Sequence, residues 1–369
     1  MRAVVNRRGF VARLLGAWAS CVGTTLGHPA QDKPEPERHE FVATHMGARV
    51  RILLYTTDVR IAKRASAAAF ERVAQLDKTF SDYDNSSELM RLVERFATTE
   101  AEPVAVSQDL FSILTTAETI SRNTGGAFDV TAAPLIRQWR RAFREKKLPS
   151  SDNLADARER VGYDRIRRFD AERKIALVPG TRIDLGGIAK GYAAQAARDV
   201  LKDHGVRQSL VAIAGDIAVG DAPPGEAGWL VEVAGLNPEK DPALTRLRLR
   251  NASISTSGDA ERFVEIDGRR YSHIVDPRTG LGVTRRATVT VVVQSGSEAD
   301  AYSTALYLLG VEGLELTGKI RNSPALAVSW LEVSANGDRI RMTNPRFDRL
   351  ARGESNGAEP SPGSLAIPS

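Results

Sequence analysis

Three short segments carry residue types able to do chemistry. Asp184-Leu185-Gly186-Gly187-Ile188-Ala189-Lys190-Gly191-Tyr192 follows a β-like Thr181-Arg182-Ile183 and opens a helical run, so its glycines stand where a helix begins. The first N–H groups of a helix lack intrahelical partners and the dipole is positive there, which makes such a start an anion site. A lysine in that first turn opposes the dipole. Lys190 therefore either faces a phosphate of a nucleotide-like ligand or is solvated beside a glycine turn packed on a strand, and the segment alone leaves both open. The spacing is neither the Walker pattern, for want of Gly-Lys-Ser/Thr, nor the dinucleotide fingerprint.

The second segment is Glu298-Ala299-Asp300-Ala301-Tyr302-Ser303-Thr304-Ala305. Asp300 and Thr304 are four apart and share one helix face, offering a carboxylate and a hydroxyl as hard oxygen donors suited to Mg²⁺. Taken by themselves they read more simply as a first-turn Asp meeting free N–H groups and a Thr bonding back to its helix. The third segment, Tyr271-Ser272-His273-Ile274-Val275-Asp276-Pro277-Arg278-Thr279-Gly280, is a strand running into a Pro-to-Gly turn. His273 stands just before the turn, where a side chain can reach a cleft and act as acid, base or phosphate partner, or simply pack as a strand histidine.

These segments need a scaffold. His39 to Tyr55 alternates as a strand pair would, and Asp58 to Lys78 places alanines, Val73 and Leu76 at helical spacing. Helices are expected from Gln108 to Asn123, stopped by Gly125-Gly126, and from Thr131 through Phe143. Beyond Gly162 strands dominate: Arg165 to Phe169, Lys174 to Val178, Ser209 to Val219, Trp229 to Ala234, Leu244 to Ile254, Arg262 to Ile266 and Ala287 to Gln294. Helices after Gly187 and from Ser297 to Leu309 interrupt them. The mixture predicts a layered α/β or α+β fold, and no internal repeat is visible.

The 369 residues suffice for one large domain or two ordinary ones, with ample apolar content for a core. The net charge of +5 falls to +1 once Arg2, Arg7, Arg8 and Arg13 are set aside, and no basic run is interleaved with aromatics, so nucleic acid is not an expected partner. Cys21 is the only cysteine, which excludes an internal disulfide and a cysteine-cluster metal site. Residues 1–30 read as an export signal, with Asn6-Arg7-Arg8-Gly9-Phe10-Val11 similar to a twin-arginine signal ahead of a short apolar stretch interrupted by Arg13. Ala19-Ser20-Cys21 resembles the end of a lipoprotein cleavage box, with Trp18 where leucine is usual, so a lipid anchor stands beside simple cleavage as an expectation. Residues 31–38 follow as a linker, 39–350 as the folded domain, and 351–369, rich in Gly, Ser and Pro, as a disordered tail. The expected location is the periplasm or cell envelope.

Taken together, the motifs resemble the ApbE-like family of FAD:protein FMN transferases over roughly residues 40–310. The matching pieces occur in family order: Met46-Gly47; Phe80-Ser81-Asp82-Tyr83 with Ser87-Glu88-Leu89; Gly125 to Thr131 with Pro134-Leu135; Asp184 to Tyr192; Ser255-Thr256-Ser257-Gly258; His273 to Gly280; and Ala299 to Thr304 with Gly310. The resemblance implies a single catalytic domain related to the T-fold arrangement, with mixed sheets and flanking helices. It implies that Met46, Tyr83, Ala127, Phe128, Asp129, Asp184, Lys190, His273 and Ile274 match positions contacting FAD, and that the Gly187 carbonyl, Asp300 and Thr304 match a Mg²⁺ site.

The implied reaction is attack by a threonine hydroxyl of an exported acceptor flavoprotein on the FMN-side phosphorus of FAD, releasing AMP and leaving FMN in a phosphoester. Mg²⁺ and Lys190 would offset the charge of the diphosphate, with His273 as the candidate acid/base. Acceptors of the family carry a short Asp-containing, Thr-ending motif. The same site would serve a Mg²⁺-dependent FAD pyrophosphatase using water, and a non-catalytic FAD-binding protein is the third reading. Ala48, Ala214 and Ala260 depart from the family pattern, none at a proposed metal or phosphate ligand. Tyr83 is expected either to stack on the isoalloxazine or to be a partly buried helix-end aromatic.

Overall fold

Residues alternating between exposed and half-buried build Glu37–His45 (β1), which pairs antiparallel with Ala48–Thr56 (β2). In the computed structural model, which describes residues 35–353 apart from 234, 237–244, 260–261, 319–324 and 335, this hairpin opens the fold. The first strand begins two residues ahead of the expected domain start at 39. The expected export signal, Cys21, the first half of the linker and nearly all of the tail lie outside the described residues. Met46 and Gly47 close the hairpin with φ of 52° and 64°, the pair of left-handed residues that a two-residue turn between twisted strands requires.

Val59–Phe80 (α1) starts at an Asp58 cap and buries Ala62, Ala65, Ala69, Val73, Leu76 and Phe80, a single helical stripe. Glu88–Arg95 (α2) is capped by Ser87; Val104–Ala105 (β3) precedes Gln108–Asn123 (α3), capped by Ser107. The helix expected from Thr131 is a short 3₁₀ turn, Val130–Ala132, followed by Ala133–Glu145 (α4), with Pro134 in its first turn. Ser151–Arg158 (α5) follows, and Ile166–Phe169 (β4) and Lys174–Leu177 (β5) join β3 in a small sheet of order β3-β5-β4.

Ala189–Asp203 (α6) leads into Ser209–Ile213 (β6) and Asp216–Val219 (β7), which form a hairpin rather than one strand. Ala214, at the turn, has φ of 52°, a conformation that costs an L-residue about 1–2 kcal/mol and costs glycine almost nothing. Trp229–Val233 (β8) pairs with Thr245–Leu249 (β9); Ala252–Gly258 (β10) belongs to a different sheet, so the expected Leu244 to Ile254 strand is also broken, at Asn251 with φ of 47°. Leu244 itself lies outside the described residues. Phe263–Ile266 (β11) and Arg269–Ser272 (β12) form a hairpin, followed by Ala287–Val293 (β13), Gly296–Leu309 (α7), Glu312–Leu316 (α8), Ala327–Val333 (β14), Arg339–Thr343 (β15) and Pro345–Ala351 (α9).

The main sheet runs β1-β2-β6-β7-β10-β13-β14-β15, and every strand pair among the described residues is antiparallel. Strand alternation divides its side chains. Ile52, Leu54, Val291 and Val328 pack with α1, α3, α6 and α7 in one core, while Leu53, Val292 and Ala327 pack with β8, β9 and α9 in a second. This confirms the layered α/β architecture expected from the sequence. A third cluster, centred on Trp139 and Tyr271, joins α4 and α5 to β11 and β12.

Helices α6 and α7 meet at two glycines. A Cβ on Gly191 would lie 2.1 Å from the Gly296 carbonyl oxygen, and one on Gly296 would lie 2.1 Å from that of Gly191. No side chain fits at this crossing. Gly191→Ala should therefore lower stability by about 1–3 kcal/mol through overpacking. Urea unfolding measures it, and an unchanged midpoint would show that the crossing can give way.

Candidate active site

The loop ahead of α6 is held by its own aspartate: Asp184 Oδ1 accepts from the Gly186 N–H at 2.7 Å, and the Asp184 N–H donates to the Val130 carbonyl at 2.8 Å. Ile188, at the cap position, makes no side-chain cap bond. One free donor at this helix start, the Gly191 N–H, is taken by Asp300 Oδ2 of α7 at 3.1 Å. Asp300 stands one turn beyond Gly296, so the glycine crossing brings its carboxylate here.

Lys190 lies between two carboxylates. Its Nζ is 3.0 Å from Asp216 Oδ2 and 3.6 Å from Asp300 Oδ2, and it donates to the Gly186 carbonyl at 3.4 Å. Both carboxylates are 5% exposed. Lys190 is thus not a free, solvated lysine. Burial, with the charge of Asp216 adding to it, pushes Asp300 up to about 7, and the Lys190 ammonium opposes that shift. Burial works against the charge of Lys190 as well, yet Asp216 and Asp300 outweigh it and hold the ammonium above the ordinary lysine range.

Hydroxyl groups extend this cluster. Ser255 Oγ donates to Asp216 Oδ1 at 2.6 Å and lies 3.3 Å from Ser303 Oγ; Ser257 Oγ is 2.7 Å from Ser303 Oγ and 3.0 Å from Thr304 Oγ1. Ser255 and Ser257 are two apart on β10 and so point the same way. Gly187 closes the group: a Cβ there would meet the Phe128 ring at 3.3 Å and Thr304 Oγ1 at 3.5 Å. Gly187, Lys190, Asp300, Thr304 and Phe128 therefore converge, as the sequence segments suggested. Asp216, Ser255, Ser257 and Ser303 join them without having been identified as site residues: the pairing of β7 with β10 brings the first three together, and the packing of α7 on β10 brings Ser303 to them.

Arg140 of α4 is another such residue. Its guanidinium bonds Asp82 Oδ2 at 2.8 Å and Asp184 Oδ2 at 2.7 Å, and stacks over the Tyr83 ring at 4.9 Å. Tyr83 is 78% exposed, which removes the expectation of a partly buried aromatic and leaves its outer face available. Met46 donates its N–H to Asp77 Oδ2 at 3.0 Å, bringing the first hairpin turn to the end of α1 near which Tyr83 lies. Ala127 is fully buried, and Asp129 caps the 3₁₀ turn by accepting from the Thr131 N–H and hydroxyl at 2.8 and 2.7 Å, a structural task. Burial raises the pKa of Asp129 and of Asp184, with Asp82 adding to the effect on Asp184 and Arg140 opposing it.

His273 is exposed as a residue, and its Nδ1 lies 3.0 Å from the Arg262 carbonyl. A carbonyl can only accept, so Nδ1 carries the proton and the neutral ring presents the lone pair of Nε2. Desolvation by surrounding protein lowers its pKa, and the charges of Arg262 and Lys190 add to this, so neutral imidazole persists below its ordinary range. Ile274 is half-buried against the main core. A cavity of about 390 Å³ lies behind the following turn, lined by Trp139, Tyr271, Asp276 and Thr279. Ala260 lies outside the described residues.

The layered α/β fold that carries this cluster is shared with solved flavin transferases, and the relatives of the chain are transferase enzymes. The chain belongs to the ApbE family, whose profile matches residues 46–327. It is 27% identical over 363 residues to a protein of Klebsiella pneumoniae (strain 342) named FAD:protein FMN transferase, covering 94% of this chain and 99% of that one. A Haemophilus influenzae protein of the same name is 30% identical over 250 residues, 65% of this chain and 71% of the relative. The structure of Pseudomonas stutzeri flavinyl transferase ApbE in its apo form superposes with a TM-score of 0.74 at 26% identity, covering 86% of this chain and 98% of that one. The Thermotoga maritima ApbE protein gives the same score and identity with 86% and 100% covered.

Arg140→Ala would leave the Asp184 carboxylate without its counter-ion. A buried acid without a partner can take a proton at low pH, so the loss, about 1–3 kcal/mol at pH 8, should shrink towards pH 5. Equal losses at both values in denaturant titrations would contradict the role of the ion pair.

Proposed function

We propose that this protein is a Mg²⁺-dependent FAD:protein FMN transferase that joins FMN to a threonine of an exported acceptor flavoprotein and releases AMP. The observation that carries the reading is the convergence of Lys190, Asp300, Gly187 and Thr304 at the start of α6, in a chain that covers most of the length of relatives bearing that activity's name.

The donor set suits a hard cation. Asp300 and Asp216 together exceed the single charge of Lys190, and the ammonium already rests against a backbone carbonyl and a carboxylate. Among the described residues no group of three or more His, Cys, Asp or Glu could hold a metal, so a cation here depends on carbonyl and hydroxyl oxygens and keeps positions for substrate oxygens. Bound by the Gly187 carbonyl, Asp300 and Thr304, Mg²⁺ would neutralise charge on the FAD diphosphate and make its phosphorus more electrophilic.

The remaining work falls to side chains. Lys190 supplies a fixed positive charge towards the diphosphate, and Tyr83 offers an exposed ring, held by Arg140, for a flavin or adenine face. The threonine oxygen bonds to the FMN-side phosphorus, the bond to the AMP phosphate breaks, and Nε2 of neutral His273 takes the hydroxyl proton. Export is part of this proposal and is supported by Arg7-Arg8 ahead of an apolar stretch; no helix among the described residues is long and apolar enough to cross a membrane. Lipidation at Cys21 would be seen as a mass increase on the mature chain.

Intact-mass spectrometry of an acceptor domain incubated with the protein, FAD and Mg²⁺ tests the reading. The expected product is the acceptor plus FMN less water, with equal AMP, and neither appears in EDTA. Unmodified acceptor with AMP would instead indicate hydrolysis of FAD. At saturating Mg²⁺ the rate should hold as pH falls through the usual imidazole range and drop only below it, because the pKa of His273 is lowered. His273→Gln should lose about 10²–10⁴-fold in rate together with that acid limb. A retained limb would remove His273 from proton transfer.

A further inference from the structure

Asp216 lies outside the ligand set that the sequence points to, yet it makes the nearest carboxylate contact of Lys190, 3.0 Å against 3.6 Å for Asp300. Its orientation is fixed on both sides. Ser255 bonds Oδ1 at 2.6 Å, the ammonium takes Oδ2, and its backbone sits at the first position of β7, opposite Ile213. Asp300 is differently placed: Oδ2 accepts the Gly191 N–H, and the ammonium is only a distant partner.

A divalent cation beside Asp300 would repel an ammonium sharing the same carboxylate. Two cations can serve one diphosphate only if the lysine has another anchor. We infer that Asp216 is that anchor: a positioning residue that draws the Lys190 ammonium aside, leaving Asp300 to a divalent cation while keeping the lysine charge within the site. This rests on the magnesium reading given above. Without Asp216, Lys190 has Asp300 as its remaining carboxylate and competes with the cation for it. The hydroxyl of Ser255 acts one step further back by holding Asp216 in place.

The test is Mg²⁺ binding, measured by isothermal titration calorimetry on the metal-free mature protein without FAD, for wild type, Asp216→Asn, Lys190→Met, the double variant and Ser255→Ala. Asp216→Asn should weaken Mg²⁺ about tenfold, Ser255→Ala about two- to threefold, and the double variant should bind within about twofold of Lys190→Met, since the competitor is gone. Simple loss of a nearby negative charge would weaken binding equally with and without Lys190, so an equal tenfold loss in the Lys190→Met background would overturn the inference. So would an Asp216→Asn protein that binds as wild type does. If wild type itself binds no Mg²⁺, the magnesium reading fails and the inference with it; if wild type binds and Asp216→Asn is undiminished, only the inference fails. Should Asp216→Asn not fold, Ser255→Ala carries the test, and undiminished binding there overturns it.

Discussion

The contact of α6 with α7 at Gly191 and Gly296 is the constraint on which the rest of the site depends. Backbone meets backbone there, with no room for a methyl group on either glycine. One turn along α7, Asp300 is thereby held at the open N-terminus of α6, where it accepts a backbone N–H and shares an ammonium with Asp216. Two buried carboxylates with one lysine leave net negative charge in a region poor in water. Such a cluster is costly unless another positive charge completes it, and the raised pKa of Asp300 expresses that cost.

The sheet supplies the other half of the geometry. Strand alternation sends Ser255 and Ser257 to the face covered by α6 and α7, where they bond Asp216, Ser303 and Thr304 in a continuous hydroxyl chain. Buried polar groups are tolerated because each has a partner. On the outer side Arg140 ties Tyr83, Asp82 and Asp184 together, so the loop that opens α6 is braced from α4 as well as from Val130. The opening loop and the exposed aromatic are thus positioned by one guanidinium.

Much of the scaffold was legible where burial imposes a period. The helix Gln108–Asn123 has the expected bounds, and the stripe of α1 and the first hairpin follow from spacing alone. The breaks within Ser209 to Val219 and Leu244 to Ile254 were hidden because Ala214 and Asn251 adopt left-handed conformations without a glycine at that position to announce them. Helices α2 and α5, at eight residues each, and the late strands β14 and β15, at seven and five, are short segments over which a period is hard to establish. Of the site, Asp184, Gly187, Lys190, Asp300 and Thr304 were named because helix starts and i, i+4 pairs are local patterns whose role the family resemblance then supplied. Asp216 and Arg140 were not, since their partners lie 26 to 58 residues away in the chain and meet only through the sheet and through α4.

The central claim is that this convergence is a cation and diphosphate site. A crystal structure of the protein with FAD and Mn²⁺, located by its anomalous signal, tests it most directly. The expected peak is bounded by the Gly187 carbonyl, Asp300 and Thr304, with the diphosphate at the start of α6 and Lys190 still on Asp216. A peak elsewhere, or a diphosphate bound away from α6, would contradict it.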